Sequence, residues 1–174
     1  MSTPWTEADR DRTLKAIGFA NRQIVTAWTA REPSREIPWT PLAKPLSASR
    51  VALVSTAALA VEGDEPFDQE GERRNPWWGD PSFRILPRDT RTGGAKSWHM
   101  HIDTSIPDQD LDSVMPLARL AELESEGFVG SSAPSHYSFM GYILKEKELL
   151  ESSTPAMIDQ MKREEVDAVL LVPV

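Results

Sequence analysis

Two of the chain's three histidines lie in the stretch SWHMHID, residues 97–103, as His99 and His101, with Asp103 two residues further on. Imidazole titrates near neutral pH and is the commonest metal ligand. On a strand, an H-x-H spacing puts both rings on one face, about 7 Å apart by strand rise. That suits two ligands of one divalent ion, with Asp103 extending the face as an oxygen ligand or as an orienter of a histidine. The third histidine, His136 in APSHYSFMGY, would arrive from another loop as a third nitrogen. His99, His101, His136 and Asp103 are therefore the candidate metal site, for Fe, Zn or Mn. The competing reading is a polar strand face whose imidazoles hydrogen-bond within the fold, since H-x-H is a short motif.

Two more side chains complete the candidate site. Tyr137, beside His136, is the candidate proton donor. Arg84, in GDPSFR, has a planar fork suited to a substrate carboxylate; the competing role is a link to Asp80 that closes its loop. The acidic run DTSIPDQDLD lacks the ligand spacing and central Gly of a calcium loop. Its Asp112 reads as a residue that favours a helix N-terminus. There is no P-loop, no G-x-G-x-x-G for a nucleotide cofactor, and no G-x-S-x-G elbow.

The elements that must position these residues follow from periodicity. Residues 6–31 carry Leu14, Ile17, Ile24, Val25 and Trp28 on one helical stripe. A proline-rich strap follows, with Trp39 and Leu42 as anchors. RVALVST, 50–56, is an apolar run suited to a strand buried on both faces. Residues 62–94 are rich in Gly, Pro and charge and predict a long loop, packed down by Phe67, Trp77, Trp78 and Phe83. Residues 97–103 alternate as a strand. Residues 110–127 predict a helix stopped by Gly127, 128–130 a short strand, and 131–143 a loop. A second helix spans 153–165, and VDAVLLVPV ends the sequence as another buried-type strand. The pattern predicts an α/β fold with a mainly parallel sheet flanked by helices, a Rossmann-like or flavodoxin-like three-layer arrangement. It occupies 50–174, preceded by an N-terminal helix over 1–32 and an extended strap over 33–49. In such sheets ligands sit beyond the carboxyl ends of the strands. Thr56, His101, Asp103 and Val174 are all expected near that rim.

Composition narrows the function. The 174 residues are 40% hydrophobic and 26% charged, enough for one domain with a proper core. The net charge of −8, with scattered basic residues, disfavours nucleic acid and anionic membrane as partners. There is no cysteine, so this sequence offers no disulfide, zinc-thiolate or Cys nucleophile. A polar N-terminus and the lack of a long apolar run predict a cytoplasmic protein. The strap and long helix predict a homo-oligomer, a dimer being commonest.

Several stretches together, VALVSTAALAVEGDEPFD, GDPSFRILP, DQDLDSVMPLARLAELESEGFVGSSAPSHYSFMGYI and VDAVLLVPV, resemble the selenoprotein B family of the glycine, sarcosine, betaine and D-proline reductases. The resemblance runs from about residue 37 to the last residue. It implies the α/β fold, a site near the end of the last strand, and reductive cleavage of a C–N bond next to a carboxylate. In that family a selenocysteine or cysteine, in a Cys-rich motif, lies just after the strand corresponding to VDAVLLVPV. No residue here matches it, so the nucleophile is not carried over. Two explanations follow. In one, the chain is an enzyme of different chemistry, whose histidines hold a metal and act on a small carboxylate- or amine-containing substrate. Its three histidines should then converge. In the other, it is a binding or scaffold subunit of a heteromer whose other chain supplies the cysteines or selenocysteine. The histidines should then lie apart, with a large apolar surface around the N-terminal helix or the C-terminal strand.

Overall fold

The computed structural model describes residues 40–75 and 78–174, together with Phe19, Arg22, Gln23, Thr26, Ala27 and Ala30, which are helical. The chain divides into two compact units, Met1–Thr40 and Pro41–Val174. Most of the helix expected over 6–31 therefore lies outside the described residues, as do Trp39 and Trp77. Leu42, expected to anchor the strap, is exposed.

The second unit is a mixed α/β structure with a mainly parallel sheet. Its centre is β1, Arg50–Ser55, whose aliphatic run is buried from Val51 to Ser55. Along one edge it pairs in parallel with β7, Ala168–Val172. Its other edge pairs in parallel first with β5, Ser131–Ser132, then with β6, Ser135–Phe139. They share that edge because Val51 and Val54 already meet β7 on the opposite one. A single antiparallel strand, β3, Phe83–Pro87, closes the far side against β6. A separate two-stranded antiparallel sheet joins β2, Leu59–Val61, to β4, Ala95–Ser97.

Alternation along β1 sorts the core. Val51 and Leu53 join Leu111, Met115, Leu117 and Leu120, so one face is covered by α3, Leu117–Ser125, and the turn before it. Ala52 and Val54 join Tyr137 and Met157, so the other face meets α4, Thr154–Arg163. No helix among the described residues is long and apolar enough to cross a membrane.

Five local expectations are corrected. The loop over 62–94 contains α1, Gln69–Arg74, and β3. Asp68 starts α1 by accepting from the Gly71 N–H, and pairing with β6 turns a polar stretch into an edge strand. The loop over 131–143 contains β5 and β6, where small residues such as Ser132, Ala133 and Ser138 fit inside the fold. The strand over 97–103 ends at Ser97, because beyond it no ladder partner continues; the His101 N–H folds back onto His99 Nδ1 (3.1 Å). The helix over 110–127 is broken by Pro116, which leaves a 3-10 turn at Leu111–Ser113 before α3. Val129 and Gly130 make no strand; the pairing starts at Ser131.

Candidate functional site

The carboxyl ends of β1, β6 and β7 form one rim, the usual place for a ligand in a parallel sheet. Thr56, just after β1, exchanges hydrogen bonds with Val174 beyond β7. Its Oγ1 accepts from the Val174 N–H (2.8 Å) and donates to the Val174 carbonyl (3.4 Å). Gly141, just after β6, packs so closely that a Cβ there would stand 2.9 Å from His99 Nε2 and 3.0 Å from the Thr56 carbonyl. His99 is thus held against the ends of β1 and β6.

The two-stranded sheet of β2 and β4 delivers both histidines. Ser97 Oγ donates to the Ala57 carbonyl (2.8 Å) and the Trp98 N–H to the Ala58 carbonyl (2.9 Å), pinning the end of β4 to the loop after β1. The turn that follows brings the two imidazoles edge to face, with ring centroids 5.8 Å apart. His99 is buried, and its pKa is lowered first by loss of solvent and then by His101, with Glu72 opposing. His101 is half exposed and lies 4.5 Å from the Tyr142 ring.

Sequence reasoning missed Glu72. Its side chain is only 3% exposed, yet it comes from α1, within the stretch read as loop. Oε1 lies 2.5 Å from His101 Nε2, and Oε2 is buried with no hydrogen-bond partner among the described residues. A buried polar atom without a hydrogen bond is costly. The only sequence signal for Glu72 was its place in a charged run, QEGERR, where solvent exposure is the usual outcome.

The other candidates stand elsewhere. His136 is fully buried in β6: its Nδ1 accepts from the Leu53 N–H (2.9 Å) and its Nε2 meets Ser132 Oγ (3.0 Å). Burial first, then the Arg88 charge, lowers its pKa to about 4. Asp103 is spent on Ser105, accepting from the N–H (3.0 Å) and the hydroxyl (2.7 Å) at the start of α2, Ser105–Gln109. Those bonds lower its pKa. The structure therefore brings together His99 and His101 of the four expected metal donors. Among the described residues no group of three or more His, Cys, Asp or Glu is placed to hold a metal ion.

Tyr137 is also fully buried, packed against Phe83, with no hydrogen-bond partner for its hydroxyl among the described residues. Burial first, then Glu164, pushes its pKa up to about 12. Arg84 spends its donors on the carbonyls of Glu65 (2.6 Å), Pro66 (3.2 Å) and Phe83 (3.0 Å) and on Ser82 Oγ (2.9 Å), over the Phe67 ring. Asp80 accepts from the Asp68 N–H (2.9 Å) and from Ser82. Both residues close the loop, joined through Ser82. The cavity of about 460 Å³ beside Arg84 is also lined by Glu65, Asp68, Asp80 and Glu148, which disfavours an anion.

The chain is 33% identical over 133 residues to D-proline reductase subunit gamma of Acetoanaerobium sticklandii, a match covering 76% of this chain and 52% of that one. The match thus spans about half the length of this curated relative. No solved structure matches. Residues 20–174 match the model of the glycine/sarcosine/betaine reductase selenoprotein B family. With a match over most of its length, the chain belongs to the glycine/sarcosine/betaine reductase selenoprotein B family.

Proposed function

We propose that this chain is a binding and assembly subunit of a heteromeric reductase-like complex, in which a partner chain carries the thiol or selenol. The observation that carries the reading is β7. Val169, Leu170 and Leu171 are 41%, 52% and 68% exposed. No charged residue lies between Ala168 and Val174. Edge strands are normally kept short, charged or covered, because their free N–H and C=O groups invite pairing. Val169 and Leu171 continue with Val54, Phe139, Met157 and Ile158 into an apolar groove of about 280 Å³ beside α4.

The occupant is a strand of the partner chain paired along β7, followed by a helix in that groove. Together they would complete a three-layer, Rossmann-like arrangement. About half of the relative's length lies outside the match, enough chain for further strands and helices. That relative is a subunit by name, and this chain has no cysteine of its own. The rim at Thr56, Gly141 and His101 would face a small carboxylate- or amine-bearing substrate. No metal is given a role, because the four expected donors do not gather.

The absence of cysteine makes a direct test simple. Leu170→Cys gives the chain a single thiol, to which a maleimide–benzophenone probe is attached. The labelled full chain is returned to extract of the cells that make it and irradiated. The expected product is a stoichiometric cross-link to one reductase-family chain that contains a Cys or selenocysteine motif. Cross-links to a second copy, to residues 1–40 of the same chain, or to no chain at all would overturn the assembly reading.

A further inference from the structure

We infer that Glu72 and His101 form a proton-transfer pair at the rim, open to a small protonated amine. The pair is intrinsic to the chain and does not depend on a docked partner.

The geometry divides the labour between the two residues. Glu72 is buried and meets His101 Nε2 at 2.5 Å, a charge-assisted contact that places one proton between ring and carboxylate. A carboxylate can only accept, so the proton is held at Nε2 and the lone pair is left on Nδ1. The imidazole side chain is 48% exposed, and its Nδ1 has no hydrogen-bond partner among the described residues. A carboxylate behind one ring nitrogen fixes the tautomer and makes the other nitrogen the working one. Glu72 is the positioning residue, and His101 is the group that would touch the ligand.

A second observation, independent of that contact, points to a cation. Glu72 Oε2 is buried with no hydrogen-bond partner among the described residues, so only the His101 contact at Oε1 offsets this carboxylate. Tyr142 presents its ring 4.5 Å from the imidazole, and an aromatic face attracts an ammonium group. Asp103 lies two residues from His101, and the whole chain carries −8. A carboxylate arriving first would be repelled, whereas an alkylammonium would be drawn in. The step is a proton transfer: the N–H bond of the ammonium breaks, a bond forms at His101 Nδ1, and the free amine results. The imidazolium is then stabilised by Glu72.

The test uses the full chain, because its three histidines can be resolved one by one. Nitrogen-15 imidazole spectra should show His101 as the Nε2–H tautomer. Methylammonium chloride should shift the His101 signal saturably, whereas sodium chloride at equal ionic strength should not. Diethylpyrocarbonate should modify His101 at least fivefold faster in the wild type than in Glu72→Gln, with circular dichroism unchanged. His101 as the Nδ1–H form, equal responses to methylammonium and sodium, or an unchanged modification rate in a folded Glu72→Gln would each overturn the inference. If Glu72→Gln fails to fold, the first two measurements on the wild type still decide it.

Discussion

His136 shows at the residue scale how a histidine that looks like a ligand becomes a core residue. Both its nitrogens are used within the sheet, and its neutral form is the one that fits. Its folded pKa of about 4 lies below the ordinary 6.5, so the unfolded chain takes up a proton before the folded chain does. The stabilisation is complete above pH 6.5 and is lost as pH falls toward 4. The slope for one proton is about 1.4 kcal/mol per pH unit, or roughly 3 kcal/mol over the full window. His99 has the same sign. Denaturant unfolding of wild type and His136→Gln at pH 7 and pH 5 should therefore show a clearly steeper loss in the wild type. Parallel losses would mean that His136 titrates normally. Working between pH 7 and 5 keeps the comparison above the range where Glu124 and Glu164, whose pKa values are lowered, begin to contribute.

Close packing between elements decides how the rim is built. A Cβ on Gly79 would stand 1.8 Å from the Tyr142 carbonyl, so the loop before β3 and the segment after β6 touch through a residue with no side chain. Tyr142 in turn covers His101. Gly79→Ala should thus push Tyr142 off the imidazole as well as destabilise the fold, by about 1–3 kcal/mol as overpacking does. The expected readout is a lower thermal midpoint together with a changed His101 resonance. A midpoint within the error of wild type would show that the loop gives way freely. Helix boundaries follow simpler rules: α3 cannot start before Pro116, and Gly127, with φ of 77°, takes the left-handed conformation that ends it.

For the whole molecule, the assembly proposed above makes association the expected consequence of an open sheet. Burying apolar surface contributes about 25 cal/mol per Å², and β7 offers both that surface and an edge that no strand among the described residues covers. Without the proposed partner the isolated chain should self-associate with rising concentration, and Leu171→Lys should suppress this. Because Leu171 is mostly exposed, the same variant should leave the thermal midpoint nearly unchanged. Sedimentation velocity over a concentration series, beside a melting curve, checks both halves. A wild type that stays monomeric throughout would remove β7 as an adhesive edge. The apolar C-terminal strand matches one part of what the scaffold reading expects, whereas of the three histidines only His136 stands apart, His99 and His101 lying 5.8 Å from each other between ring centroids.

What the sequence determined by itself was local or compositional. RVALVS had to be a buried strand, TPAMIDQMKR a helix opened by its early proline, and AVLLV a strand. The family was legible in its motifs, and the absence of cysteine was plain. Tertiary structure decided the rest, because periodicity says which residues share a face and not what that face meets. SHYSF became a strand by pairing with β1 on one edge and with FRILP on the other, and FRILP by meeting SHYSF across about 50 residues. AVLLV reads as buried on both sides, yet no described strand covers its outer edge. His136 and Tyr137 were drawn into the core by the strand they belong to, out of reach of the rim. Glu72 met His101 because a helix and a turn, 29 positions apart, fold to the same end of the sheet. No spacing rule could have joined them, since the contact is set by chain topology.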